Sequence, residues 1–190
     1  MNRREAVSTV AWLLGGTVLG AELFVELACN TKKSADVSQL FEADHVSFLN
    51  EVAETILPET STPGAKAAKV GEFMGVMVRD CYTPEDQKVF MEGVSKLDEG
   101  SQKKYSKKFM ELDPKQRTAY LTDLDNEQKQ YMKDKKEEDP NHYFRMMKEL
   151  TLLGYFTSEV GATKALRYVP VPGKYDGCIP YKKGDRAWAL

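Results

Sequence analysis

The side chains with the most chemistry to offer are two arginines, three cysteines and two histidines, and their spacing sorts them. Arg3 and Arg4 stand together before a weakly apolar run from Ala6 to Ala21, and Leu27-Ala28 leads into Cys29. A charged start, an apolar middle and a small-residue exit describe an export signal rather than a folded element. Adjacent arginines in that place are the receptor-read address of the twin-arginine route, which carries proteins across the membrane already folded. The pattern departs from the usual motif: Glu5-Ala6-Val7 follow the arginines where an apolar residue, then Leu and Lys, are expected, so ordinary secretion is the competing route. Glu22 and Glu26 interrupt the apolar stretch, which therefore falls short of the roughly 20 residues of a spanning helix.

The cysteines leave two questions open. Lipidation of Cys29 wants Leu or a similar residue three places earlier, where Glu26 stands, so the sequence does not decide whether Cys29 carries lipid. Cys81 and Cys178 are an even pair in an oxidising compartment. A bond between them closes a loop of 97 positions (178 − 81), which the chain-entropy model values at about 4.7 kcal/mol. The alternative makes Cys81 a buried small hydrophobe at a helix end and leaves Cys178 in the C-terminal arm, free to bridge to a partner.

His45 and His142 have no second ligand at i+3 or i+4, so no metal site is expected of them. Cys-x-x-Cys-His, G-x-G-x-x-G, G-x-S-x-G and H-E-x-x-H are all missing, and no carboxylate pair stands out from charges at ordinary helical spacing. The expectation is a chain with no catalytic residues and no cofactor or metal of its own. Without residues 1–28 the 27 basic and 29 acidic residues become 25 and 26, a near-neutral balance that gives no electrostatic case for nucleic acid.

The elements that must position these residues read as helices. Residues 1–28 form the signal, 29–40 a polar tether, 41–167 a helical bundle and 168–190 an extended arm; the expected fold is an all-α, irregular bundle of about five to seven helices. From Asp44 to Leu57, Val46, Leu49, Ala53, Ile56 and Leu57 recur at helical spacing, with Asp44 as N-cap and Pro58 as the stop. A turn-rich loop follows, then a helix over Ala65 to Asp80, broken near Gly71, with Val70, Phe73, Val76 and Met77 inward. Thr83-Pro84-Glu85-Asp86 opens a third helix, whose buried stripe is Val89, Phe90, Val94 and Leu97. Asp113-Pro114-Lys115-Gln116 repeats the device, with Tyr120, Leu121 and Leu124 inward.

Asp125 to Asp139 is nearly all charge and amide and predicts a solvated helix or a mobile loop serving solubility. Asp139-Pro140 is expected to start the most apolar helix. There Tyr143, Phe144, Met147, Leu150, Thr151 and Gly154 share a face while Leu152, Leu153, Tyr155 and Phe156 add apolar bulk elsewhere. A helix apolar nearly all round is either the centre of the bundle or partly an interface. The tail from Tyr168 alternates Pro170, Pro172 and Pro180 with Val169, Val171, Tyr175 and Tyr181. Proline fixes its own φ and extends the residue before it, so such an arm has little freedom left to lose on docking. It either docks to a partner or wraps its own bundle.

Four blocks carry a resemblance: Leu57-Pro58-Glu59-Thr60-Ser61-Thr62-Pro63-Gly64-Ala65, Asp80-Cys81-Tyr82-Thr83-Pro84-Glu85, Leu150 through Glu159, and Ala165-Leu166-Arg167-Tyr168 through Tyr175-Asp176-Gly177-Cys178. Over about residues 40 to 181 the chain resembles the gluconate 2-dehydrogenase subunit 3 family. The resemblance implies a non-catalytic gamma subunit of a membrane-associated sugar or sugar-acid dehydrogenase. Its large partner would be a flavoprotein of the glucose-methanol-choline type, holding FAD and often passing electrons to a c-type cytochrome subunit with haem c. It also implies that the flavoprotein lacks a leader and leaves the cytoplasm with the small subunit, through the twin-arginine export machinery. The expected location is then the periplasm, at the outer face of the inner membrane. The residues expected to dock the partner are Leu150, Leu153, Tyr155, Phe156, Tyr168, Val169, Pro170, Val171, Pro172, Tyr175 and Cys178. A free-standing helical binding module, periplasmic or lipid-anchored, is the alternative. Lys129 to Asp139 falls outside the alignable blocks, and neither the sugar oxidised nor the electron acceptor is legible.

Overall fold

Asn50 and Glu54, two polar residues on the first helix, set where the chain after it turns and where the next helix begins. The computed structural model describes residues 43–190 except 172, 181 and 190; Arg3, Arg4, Cys29 and Pro172 lie outside the described residues. Helix α1 covers Ala43–Ile56 and buries Phe48, Leu49, Val52 and Ala53 on one face. Asp44 lies within its first turn rather than ahead of it, and Val46, Ile56 and Leu57 are only half-buried. The helix stops because Leu57 makes the last backbone bond, to Ala53 O at 2.9 Å, and Pro58 has no N–H to continue.

Helix α2 covers Val70–Cys81, not the expected Ala65 onward. Residues 65–69 form turns instead, because α1 supplies their hydrogen-bond partners. The Glu54 carboxylate accepts from Lys66 N at 2.7 Å and Glu59 N at 2.9 Å, and Asn50 Oδ1 accepts from Gly71 N at 2.9 Å. A side chain on a neighbouring helix thus satisfies a donor that the αL residue Lys69, the N-cap, leaves open. Gly71 is required by this close approach: a Cβ there would lie 2.7 Å from Val46 O. Of the expected inward residues Val70 is buried and Phe73 and Met77 pack half-buried against the core, whereas Val76 is 44% exposed and Met74 and Val78 fill the stripe instead.

Helix α3, Pro84–Tyr105, begins as expected: Thr83 Oγ1 accepts from Asp86 N at 3.2 Å, and Phe90, Val94 and Leu97 are buried. Gln87 donates through Nε2 to Val78 O and Arg79 O and so caps the end of α2 from outside. A single 3₁₀ turn, Phe109–Glu111, drives Phe109 between Phe48 and Tyr120 at ring-centroid distances of 5.4 and 6.5 Å.

Helix α4, Pro114–Asp134, opens on a reciprocal cap between Asp113 and Gln116 and buries Tyr120, Leu121, Leu124 and Gln128. It runs on through much of the charged segment. Helix α5, Tyr143–Thr157, starts four residues after Asp139, with His142 as N-cap: its Nδ1 accepts from Phe144 N at 3.2 Å. Asp139 Oδ2 is instead taken by Lys136 N in the preceding turn.

Helix α5 packs against each of α1, α2, α3 and α4, which makes it the centre of an all-α bundle. A π-helical turn, Gly161–Ala165, follows it. The chain then forms strand β1, Arg167–Tyr168, in parallel register with β2, Trp188–Ala189. No helix among the described residues is long and apolar enough to cross a membrane.

Candidate partner-docking surface

The loop between α1 and α2 is a rigid corner. Ala65 N bonds Leu57 O at 2.9 Å, and Thr60 N bonds Thr62 O at 3.0 Å. Gly64 leaves the space that the Glu54 carboxylate fills, since a Cβ there would come within 2.2 Å of Oε1. Tyr155 on α5 donates its hydroxyl to Pro63 O at 2.7 Å and ties the corner to the central helix. This accounts for Tyr155: it is 4% exposed and serves the core. Leu150, 3% exposed, is core as well. The expectation that both belong to a docking face is corrected, because a side chain with almost no accessible surface has none to give a second chain.

The outward side of the same helix differs. Leu152, Leu153 and Phe156 are exposed by 38%, 46% and 39%. One side of helix α5 therefore fills the bundle, as the central-helix reading expects, while the other carries large apolar groups into solvent.

The arm is anchored at both ends and exposed between them. Arg167 N donates to Ala187 O at 2.8 Å, Val169 N to Ala189 O at 3.0 Å, and Arg186 Nη1 to Lys164 O at 2.8 Å. The Arg167 guanidinium lies 4.1 Å from the Trp188 ring centroid, a cation–π contact. Val169 is half-buried by this ribbon, whereas Tyr168, Pro170, Val171, Tyr175 and Cys178 are exposed. The return strand was missed from sequence. Its trace was the short apolar run Ala187-Trp188-Ala189 following the turn formers Gly184-Asp185.

Cys81 and Cys178 are both free and exposed. No disulfide joins them, and Cys81 is not a buried hydrophobe: it is the last residue of α2, exposed, with its Sγ 3.9 Å from Met77 Sδ. Cys178 N bonds Asp176 Oδ1 at 3.2 Å in a turn of the arm.

Electrostatics serve packing in the bundle. Asp125 accepts from Lys148 at 2.5 Å and Gln128 at 3.2 Å and pairs with Lys129 at 2.6 Å. Burial pushes its pKa up, but these donors outweigh it and hold the carboxyl at about 2. The charged segment does more than confer solubility, because it fastens α4 to α5. Arg117 bonds Phe109 O, Met110 O and the Glu51 carboxylate, and Glu51 also pairs with Lys66 at 2.8 Å. Burial raises the Glu51 carboxyl, yet Lys66 and Arg117 leave it below the usual carboxylate range. His142 is shifted down by burial, against the pull of Glu127 3.9 Å from its Nε2. Among the described residues no three His, Cys, Asp or Glu side chains come together as a metal site.

Corner, central helix and strapped arm define an all-α scaffold with large apolar side chains exposed on α5 and along the arm. The chain belongs to the gluconate 2-dehydrogenase subunit 3 family, whose model matches residues 43–173, and its family is thus one of dehydrogenase-complex subunits. No curated protein and no solved structure matches the chain.

Proposed function

We propose that the chain is the small, non-catalytic subunit of an exported FAD-dependent sugar or sugar-acid dehydrogenase. In this reading the flavoprotein partner binds FAD and substrate, and a c-type cytochrome subunit with haem c receives the electrons. The subunit holds the folded flavoprotein through the outward side of α5, Leu153 and Phe156, and through the root of the arm at Tyr168 and Pro170. It also supplies the Arg3-Arg4 address for the twin-arginine route, so that FAD inserted in the cytoplasm stays in place during export to the periplasmic face of the inner membrane. The observation that carries this reading is the family match over residues 43–173. The paired arginines and the apolar side chains left in solvent on α5 support it.

Co-expression of the chain with an FAD-dependent dehydrogenase of the glucose-methanol-choline type from the same source tests the proposal. Changing Arg3→Lys and Arg4→Lys together should leave both proteins in the cytoplasm, with flavin absorbance and dehydrogenase activity absent from the periplasmic fraction. Export of active flavoprotein in cells lacking this chain overturns the escort role.

A further inference from the structure

The C-terminal loop carries a charge opposite to that of the bundle it springs from. Between β1 and β2, residues 169–187 hold Lys174, Lys182, Lys183 and Arg186 against Asp176 and Asp185, while residues 43–163 hold 17 basic and 22 acidic side chains. The loop is stapled at its base by the β1–β2 ribbon and the Arg167–Trp188 stack. At its outer part Val171, Tyr175 and Ile179 are exposed by 80%, 95% and 52%, and none joins the core cluster.

Two receptors have the complementary sign, an acidic groove on a protein and an anionic lipid surface. A groove reads a fixed register, given by a backbone pairing edge or an apolar stripe on one side. Here Pro170 and Pro180 remove N–H donors, Gly173 and Gly184 turn the chain at φ 69° and 92°, and apolar and basic residues are interspersed along the loop. A bilayer interface asks for no register. It takes aromatic and aliphatic side chains into the headgroup boundary while ammonium groups meet lipid phosphates.

We infer that the loop between β1 and β2 is a peripheral membrane anchor that seats Val171, Tyr175 and Ile179 in an anionic lipid surface, with Lys174, Lys182 and Lys183 on the headgroups. The inference rests on the proposed function only for the side of the membrane it faces.

The test is co-sedimentation of the full chain with vesicles of phosphatidylglycerol and phosphatidylcholine, against phosphatidylcholine alone. It compares the native chain with Lys182→Glu/Lys183→Glu and with Val171→Ser/Tyr175→Ser. The apolar leader is common to all three, and circular dichroism checks that each is folded. Partition into anionic vesicles is expected to weaken with added salt and to fall about tenfold or more in the charge-reversed variant. It should also fall in the serine variant, while binding to neutral vesicles is unaffected by charge reversal. Equal partition of all three proteins, or none, overturns the anchor. So does unchanged vesicle binding with lost flavoprotein co-purification, which would assign the loop to a protein groove. Variants that lose vesicles but still co-purify flavoprotein leave the escort role standing, and loss of the escort role leaves the vesicle result intact.

Discussion

Asp125 shows how a residue that reads in sequence as one more solvated charge becomes a structural tie. Its carboxylate is ringed by Lys129, Lys148 and Gln128, and the last two hold it against the facing helix and its own turn. A carboxyl held at about 2 when folded and near 3.8 when unfolded stabilises the native state above the unfolded value; that stability disappears as pH falls from about 4 toward 2. Discounted for the exposed Lys129 side, the contribution is about 1 kcal/mol. Asp125→Asn should therefore lower the urea-unfolding free energy by about that much at pH 7, with the gap to the native chain narrowing below pH 4. A gap that stays constant down to pH 2 would mean that the loss is one of packing rather than charge. From sequence, Asp125 could not be told from its neighbours, because its partner Lys148 stands 23 residues away on another helix.

Helix starts separate into those built locally and those built by neighbours. Thr83-Pro84 and Asp113-Pro114 were legible because cap and capped N–H lie within three residues. The starts of α2 and α5 were misplaced for the opposite reason. Asn50 completes the first from another helix, and Asp139 resembles a cap but is engaged by Lys136, leaving the role to His142. A histidine cap accepts through Nδ1 only while the ring is neutral.

Burial depresses the pKa of His142, so its contribution is complete above the unfolded value of 6.5 and drains away as pH falls below it. The titratable and charged groups around it are Glu127 on α4, Lys96 on α3, the stacked Tyr143 ring and the tilted Tyr131 ring. His142→Asn retains a cap acceptor that does not titrate. Thermal midpoints measured from pH 7.5 to pH 5 should fall less steeply in this variant than in the native chain. Equal slopes would remove His142 from the account of acid sensitivity.

In the whole molecule the arm belongs to the surface and not to the core. The core ends with Tyr155, and Ala165 is the last half-buried residue packed on it. Ending the chain after Tyr168 removes β2 and the Arg186–Lys164 bond but no core side chain. The far-ultraviolet helical signal should be unchanged and the unfolding free energy lowered by less than about 1 kcal/mol. Collapse of the helical signal would show that the arm closes the fold.

The all-α class, the two proline-capped helices, the inward stripe of α4 and the family blocks were already written in residue order, because each depends on contacts within a turn or two of helix. Three things waited for the folded chain. They are which side of α5 is spent on the core, the exposure of both free thiols, and the return of the arm onto Arg167. The first and the last depend on groups from 20 to about 90 residues apart meeting in space, as Tyr155 meets Pro63, and the thiols stay exposed because nothing distant comes to cover them; no local periodicity encodes either outcome.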